Sequence, residues 1–356
     1  RHGRTVQGHC GGVYQRVNYR VAPDRMPDEL HVFKFEAYFT WISGFSLRAV
    51  IYYLGADAFL IDPDVMDLTA PQAIFVSIIM LAGGWILYDF ICKSPLGENT
   101  GLLALLVFLL TVGAAWAFSE VFSGRAAYLH AGALIGSIMV GNVFFIIIPN
   151  QKKVVAALTA GETPDPKLGK QAKQRSTHNN YLTRPVLLMM VSNHYPMTYG
   201  HKYSWAIFAV ILVVGGLIRH YYNCKNAGNI GRFHNLLYPT AAALMIALMI
   251  GVSYKPHNSG ANASNGDAVS PKVAFGIVRE RCSACHSSLP TDEDWDTAPA
   301  GVMFDTFDQV VQLSTKIQQQ AVASNNMPLG NKTGMTKEER ALLGQWIAQG
   351  AKALEQ

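Results

Sequence analysis

Two cysteines and a histidine near the C-terminus form the most specific chemical motif of this 356-residue chain. Cys282, Cys285 and His286 have the spacing C-x-x-C-H and follow a predicted helix. Two thiols at this spacing add to the vinyl groups of a haem, and the next imidazole binds the iron, so the motif is typical of c-type haem attachment. The alternatives are a thioredoxin-like thiol pair and half of a zinc site. The absence of a second C-x-x-C and of an alternating strand and helix pattern favours haem.

An electron-carrying haem needs a second axial ligand, and methionine is the usual partner of histidine in cytochromes c. Three methionines follow the motif, namely Met303, Met327 and Met335. Met327 lies in the segment Asn325-Asn-Met-Pro-Leu-Gly330, whose proline and glycine predict a stiff, turned loop. We therefore expect Met327 to be the sixth ligand of the iron. Packing in a core is the alternative role for each methionine.

The last part of the sequence predicts a capped helix. Thr336 is the expected N-cap, and Glu339 completes a capping box. One face of this helix is apolar and consists of Leu342, Leu343, Trp346 and Ile347. We expect that face to pack on the helix that contains Phe275. Residues 271–356 therefore predict a small, all-helical class I cytochrome c domain, in which the haem supplies much of the core.

The rest of the chain has the composition of a membrane protein. Half of all residues are apolar and only 15% are charged, against about 25% in soluble proteins. This excludes a disordered chain and a protein that coats nucleic acid, so we expect no nucleic-acid partner.

A spanning helix needs about 20 mainly apolar residues. Seven segments meet that length: 36–56, 71–92, 101–118, 131–149, 182–200, 203–222 and 236–252. The predicted fold class is an all-α, polytopic bundle of about seven spans.

Basic residues predict how the bundle lies in the lipid bilayer. The segments on one side hold 17 Lys and Arg, and those on the other side hold 2. Cytoplasmic loops accumulate these residues, so we expect residues 1–35 to be cytoplasmic. The transmembrane domain then covers residues 36–253, and a Gly/Ser/Asn-rich linker covers 254–270. The C-terminal domain, residues 271–356, lies on the outer side.

Four polar residues within or beside the predicted spans are candidates for a substrate or cofactor site. Asn193 and His194 lie in the span 182–200, His130 lies at the outer start of another span, and Arg48 lies inside the first. Ionisable groups inside a membrane are costly and often functional. His130 and His194 could ligate a haem b or contact a substrate. The alternatives are hydrogen bonds between helices, and for Arg48 a contact with Asp89 or with the interface.

Several strings of the membrane half are similar to those of one family. They are Lys34-Phe-Glu-Ala-Tyr-Phe-Thr-Trp-Ile-Ser-Gly44, Val140-Gly-Asn-Val-Phe-Phe-Ile-Ile-Ile-Pro-Asn-Gln-Lys-Lys153, Lys173-Gln-Arg-Ser-Thr-His-Asn-Asn-Tyr181, Ser192-Asn-His-Tyr-Pro196 and Ile218-Arg-His-Tyr-Tyr-Asn223. With the C-terminal C-x-x-C-H, they resemble the bacterial membrane-bound urate oxidase family, also called urate hydroxylase. The resemblance implies eight spans, so we expect this chain to lack an earlier helix before Gln7.

The resemblance implies an activity, its cofactors and a location. It implies oxidation of urate to 5-hydroxyisourate, with electrons passing through one covalent haem c to a downstream cytochrome c or terminal oxidase of the respiratory chain. It also implies a multi-pass protein of the bacterial inner membrane, with its cytochrome domain in the periplasm. Urate loses two electrons and one haem accepts one at a time. The urate pocket should therefore lie near the outer face, unless an additional haem b bridges the bilayer.

Two other functions fit the sequence. In one, the membrane part only anchors a cytochrome c that relays electrons from another dehydrogenase. In the other, the membrane part is a transporter with an electron-transfer appendage, although the sequence has no visible inverted repeat. Urate-driven reduction of the protein's own haem would distinguish an oxidase from both.

Overall fold

The computed structural model of the chain describes residues 3–9, 12–18, 34–228, 231–253 and 268–352. Its contacts divide the chain into two units, residues 1–41 with 139–179 and residues 42–138 with 180–356. Most of the predicted linker lies outside the described residues.

The first unit contains a β-hairpin that the predicted all-α class did not include. Strands β1 (Gly3–His9) and β2 (Gly12–Asn18) pair antiparallel, with His9 opposite Gly12. Only two residues separate the strands in the sequence, and this spacing is typical of a hairpin. The β-branched and aromatic residues of both strands favour extended backbone. Apart from a single bridge between Asp62 and Met66, the other described elements are helical.

Within the described part of the chain, five helices are long and apolar enough to cross a membrane. They are α3 (Ala70–Lys93), α4 (Thr100–Ser119), the continuous helix from Gly124 to Thr159, α9 (Ser204–Asn226) and α10 (Arg232–Ser253). The continuous helix consists of α5 (Gly124–Gly141), a π-helical turn (Asn142–Ile147) and α6 (Ile148–Thr159). These five helices match five of the predicted spans and are compatible with insertion into a membrane.

The other two predicted spans, 36–56 and 182–200, contain helices that do not reach the length and hydropathy of the five. Helix α1 (Lys34–Arg48) continues in a π-helical turn, Ala49–Tyr53, and the short helix α2 (Ala56–Phe59) follows. Helix α7 (Pro166–Val191) begins in the Lys-rich loop and contains Pro185. A 3₁₀ turn (Ser192–His194) and α8 (Pro196–Tyr199) complete that segment.

Side-chain caps fix where the apolar helices begin. Thr69 and Gln72 form a capping box at α3, and the Asn99 side chain accepts hydrogen bonds from the first amides of α4. Such caps satisfy amide groups that have no partner within the helix. Large apolar side chains then remain on the outside, such as Phe75 and Phe90 of α3, which are 65% and 69% exposed. This exposure suits helices whose surroundings are lipid.

The C-terminal residues form a small helical domain around one apolar core. Its helices are α11 (Pro271–Arg281), α12 (Phe307–Gln312), α13 (Ser314–Ile317) and α14 (Lys337–Ala348). The predicted capping box of Thr336 and Glu339 begins α14. Leu343 and Trp346 of α14 are buried against the core that Phe275 also contacts. Leu342 is exposed, so the packed face of α14 is narrower than its sequence pattern indicates.

Candidate functional site

The C-x-x-C-H residues form a tight turn at the end of α11. The amide groups of Cys285 and His286 both donate to the carbonyl oxygen of Cys282, over 3.3 Å and 2.9 Å. Both cysteines are free thiols. The turn therefore presents two unbridged thiols and one imidazole on a short stretch of backbone, which is the donor set that covalent haem attachment requires.

The imidazole of His286 is oriented by a backbone carbonyl. Its Nδ1 lies 3.0 Å from the oxygen of Val302, and a carbonyl can only accept, so Nδ1 carries the proton. The ring also forms a T-shaped contact with Phe304, with ring centroids 5.6 Å apart. Nε2 is therefore unprotonated in the neutral ring. A hydrogen bond from the other ring nitrogen to a backbone carbonyl is typical of a histidine whose remaining nitrogen binds a metal.

Electrostatics argue against the two alternative readings of the motif. Burial raises the pKa of the Cys282 thiol to about 12 and also raises the pKa of the Cys285 thiol. A thioredoxin-like pair needs a depressed thiol pKa. A zinc site needs converging ligand atoms, and among the described residues the only converging group of His, Cys or acidic ligands lies elsewhere. The motif therefore fits haem attachment better than either alternative.

Met327 lies on the same core as the cysteine motif. It packs against the cluster that Cys282 also contacts, whereas Met335 is almost fully buried within that cluster. The Met327 amide donates to Gln320, and the Met327 carbonyl accepts from the buried guanidinium of Arg340 over 2.7 Å. Hydrogen bonds to the amide and to the carbonyl of Met327 thus hold the loop in place. The second bond comes from Arg340, a residue that the sequence pattern does not mark.

A chain of buried polar side chains lies in the second unit. It joins Arg48, Tyr53, Ser77 and His130. Arg48 bonds to the Tyr53 hydroxyl and, over 3.3 Å, to Ser77, and Ser77 lies 2.8 Å from Nε2 of His130. Ser77 and His130 are each about 10 Å from the start of their own helices. The chain therefore lies near one end of the bundle, the end predicted to face outward.

The π-helical turn explains why Arg48 and Tyr53 meet. Five residues along an α-helix correspond to a rotation of about 140° away from the starting face. The wider turn Ala49–Tyr53 reduces that angle and returns Tyr53 to the face of Arg48. Sequence reasoning selected Arg48 and His130 but missed Tyr53 and Ser77, because nothing in the sequence marks the π turn.

The direction of each hydrogen bond follows from one carbonyl. Nδ1 of His130 lies 2.7 Å from the oxygen of Ala126 and must donate to it. In the neutral ring Nε2 then accepts, so Ser77 donates to His130, and Tyr53 in turn donates to Ser77 over 2.9 Å. The chain runs from Arg48 to His130 with every donor pointing the same way. Because Ser77 occupies Nε2, His130 would have to lose this bond before it could ligate a haem b.

Arg48 carries a buried charge without a carboxylate partner. Its side chain is only 7% exposed, and no acidic group within the described residues forms an ion pair with it. Its Nε has no hydrogen-bond partner, and the rings of Phe45 and Tyr53 lie 4.9 Å and 4.7 Å from its Cζ. The expected alternative partner, Asp89, pairs with Lys93 at 2.6 Å instead. Buried charges are normally paired, so this position suits an anion.

His194 does not join this chain. It lies in the 3₁₀ turn after α7 and is exposed, whereas His130 is fully buried. Helix α7 ends at Val191, and Pro196 stands at the start of α8, so His194 lies in the short turn between two helices. The two histidines therefore differ in burial, and the role of either one as a haem b ligand or a substrate contact stays a prediction. The side chain of Asn193 lies outside the described residues.

The Met327 loop contacts the same end of the bundle. Nδ2 of Asn326 donates to the Tyr199 hydroxyl over 2.9 Å, and Gly330 lies against the backbone of Asp57. Outside the loop, Lys337 lies 3.5 Å from the carboxylate of Asp64. A cleft remains at this contact, and its lining includes Phe59, Asp62, Arg125, Asn326, Gly330 and Arg340.

Aromatic rings connect this cleft with the buried chain. Phe59 lines the cleft, its ring centroid lies 6.3 Å from that of Tyr52, and Tyr52 lies 6.0 Å from His130. All three residues belong to the second unit. The buried polar chain and the Met327 loop are thus joined through adjacent aromatic side chains rather than separated by the thickness of the bundle.

The comparison with known families gave one match. The family model described as urate oxidase N-terminal matches residues 1–253, which include all five apolar helices and the chain from Arg48 to His130. No curated protein and no solved structure matches the chain.

Proposed function

The chain belongs to the urate oxidase N-terminal family, and we propose that it is a membrane-bound urate oxidase that passes electrons through a covalent c-type haem. The reaction converts urate to 5-hydroxyisourate and delivers the electrons to a downstream cytochrome c or a terminal oxidase. The observation that carries the proposal is the directed chain from Arg48 to His130, because it lies at the end of the bundle that the Met327 loop contacts.

The reaction sets the requirements for the site. Urate and one water give 5-hydroxyisourate, two electrons and two protons. Urate is mainly a monoanion at neutral pH, and the buried guanidinium of Arg48 supplies an unpaired positive charge for it. The Arg48 side chain therefore binds and orients the substrate, with Phe45 and Tyr53 beside it.

The directed chain provides a place for a released proton. A proton that reaches the Tyr53 hydroxyl shifts the Tyr53 proton to Ser77 and the Ser77 proton to Nε2 of His130. His130 then carries the charge, while its Nδ1 continues to donate to Ala126. A positioned base of this kind contributes about 10²- to 10⁴-fold to a rate.

Four residues would hold the haem. Cys282 and Cys285 would supply the thioether bonds, His286 would offer Nε2 to the iron, and Met327 would offer its thioether sulfur to the same iron. When bound, the haem accepts electrons one at a time and releases them to an external acceptor. Residues 271–356 are then a class I cytochrome c domain, and the contacts of Asn326 and Gly330 hold it against the bundle.

The proposed location follows from charge and from the chemistry of attachment. We propose seven spans, with 36–56 and 182–200 added to the five apolar helices, residues 1–35 in the cytoplasm and the cytochrome domain in the periplasm of a bacterial inner membrane. Without the span 182–200, the basic loop 150–184 and the haem domain would lie on the same side, against the observed bias of Lys and Arg.

The stoichiometry of the reaction tests this function. Purified protein is mixed with urate and soluble ferricytochrome c without oxygen, and urate loss and cytochrome reduction are followed together. The proposal predicts two cytochromes reduced per urate consumed and no hydrogen peroxide when oxygen is readmitted. A relay subunit that only anchors a cytochrome would consume no urate unless another dehydrogenase were added.

A further inference from the structure

A second group of chemically active side chains lies at the junction of α9 and α10. It consists of His220, Cys224 and His234, and one ligand atom of each lies within 4.8 Å of the others. All three side chains are half-buried. His220 and Cys224 are four residues apart on one face of α9, and His234 lies in the first turn of α10. We propose that these three residues bind a divalent metal ion of the Zn²⁺ type.

The donor atoms suit a borderline-soft metal. Two imidazoles and one thiolate match the ligands of Zn²⁺, and a three-ligand set leaves one tetrahedral position for water or a further ligand. The Cys224 sulfur lies 3.6 Å from Nε2 of His220, and the rings of His220 and His234 have centroids 6.1 Å apart. Ligand atoms on a tetrahedral zinc lie closer together than 4.8 Å, so small rotations of these side chains complete the site.

The surroundings orient the ligands. Nδ1 of His220 lies 2.7 Å from the Tyr181 hydroxyl, which leaves Nε2 for the metal and supplies the outer hydrogen bond typical of metal-bound histidine. In the metal-free state, Nδ1 of His234 accepts from the exposed amide of Gly231 over 3.2 Å. Binding through Nε2 moves the ring proton to Nδ1, and water replaces this contact. Cys224 releases its thiol proton when the metal binds.

The proposal is independent of the proposed function, because none of these residues belongs to the chain from Arg48 to His130 or to the haem motif. It places the metal at the bundle end predicted to face the cytoplasm. There it would join the start of α10 to α9 across the connection between the two helices.

Zinc binding by the intact haem-containing protein tests the site. Equilibrium dialysis with radioactive ⁶⁵Zn²⁺ should give one tight site per chain under reducing conditions. Zinc-edge X-ray absorption of the wild-type protein should give one sulfur at about 2.3 Å and nitrogens at about 2.0–2.1 Å. Iron does not interfere with either measurement, and the absorption experiment needs no variant.

Variants separate this site from general histidine binding. Cys224→Ser and His234→Ala should remove tight binding, and Tyr181→Phe should weaken it by about 10-fold. His201→Ala changes a histidine outside the group and should bind as the wild type does. Absence of tight zinc in the wild type, or unchanged binding in Cys224→Ser, would overturn the proposal.

Discussion

Gly330 lies so close to Asp57 that it has no room for a side chain. A Cβ on Gly330 would lie 2.5 Å from the carbonyl oxygen of Asp57 and 3.1 Å from the Cα of Ala58. Gly330 also has φ +57°. This backbone contact joins the Met327 loop to the segment that leads from the π turn to α3, and it sets how closely the loop approaches the bundle.

The first prediction uses a matched pair of glycines. Gly330→Ala should slow urate-driven haem reduction by about 10-fold or more, because the new Cβ displaces the loop and small displacements are costly for reaction geometry. Gly334 has a similar φ of +67° but open space around it. Gly334→Ala therefore introduces the same backbone strain without the clash and should react nearly as fast as wild type. Stopped-flow spectroscopy measures both, and equal slowing would contradict the contact.

The second prediction concerns the proton acceptor. His130→Gln should lower the turnover of urate by on the order of 10²- to 10⁴-fold, since glutamine cannot take up the relayed proton. The haem content and the rate of haem reduction by ascorbate should stay unchanged. Ser119→Ala, at a half-buried serine in the last turn of α4, is the control for changes within the bundle. Turnover of His130→Gln close to that of wild type would remove His130 from the mechanism.

The third prediction concerns the buried cation. Arg48→Met should weaken urate binding by roughly 10- to 100-fold, the loss expected for a hydrogen bond to a charged group. Tyr53 and Ser77 bond directly to each other, so the rest of the chain persists without Arg48. Arg48→Lys keeps the charge, and its urate affinity should lie between those of the wild type and Arg48→Met. Lys202→Met removes an exposed cation and should leave the urate KM unchanged, and the KM from steady-state kinetics decides between these outcomes.

The fourth prediction concerns the sixth ligand. Met327→Leu should retain covalent haem but lose the methionine-ligated spectrum and lower the reduction potential, because thioether ligation raises it. Met303→Leu makes the same change at another half-buried methionine of the domain and should alter neither property. Redox titration and visible spectra measure both variants. A wild-type potential in Met327→Leu would exclude Met327 as the ligand.

The sequence was sufficient where a pattern is local. The capping box of Thr336 and Glu339 and the five apolar helices all follow from short-range signals, and the structure bears them out. The C-x-x-C-H motif and the Met327 loop are also short-range patterns. The hydrogen bonds of His286 and of Arg340 are compatible with the roles predicted for them. The strands Gly3–His9 and Gly12–Asn18 were not predicted, because two short strands give a weak sequence signal beside long apolar helices.

The candidate site could not be predicted fully, because it depends on three-dimensional register. Ser77 and His130 are 53 residues apart, and Tyr53 reaches Ser77 only through the π turn. Tyrosine and serine in an apolar segment carry no sequence signal of their own. The same reasoning applies to His194, whose position after Val191 depends on where α7 ends.

One anaerobic experiment tests the central claim most directly. The purified, oxidised protein is mixed with urate in the absence of oxygen and of any other redox protein, and the spectrum of its own haem is recorded. The account predicts reduction of the c-type haem within the same polypeptide and formation of 5-hydroxyisourate, with one urate consumed for every two haems reduced. A haem that stays oxidised with urate but is reduced by ascorbate would contradict it.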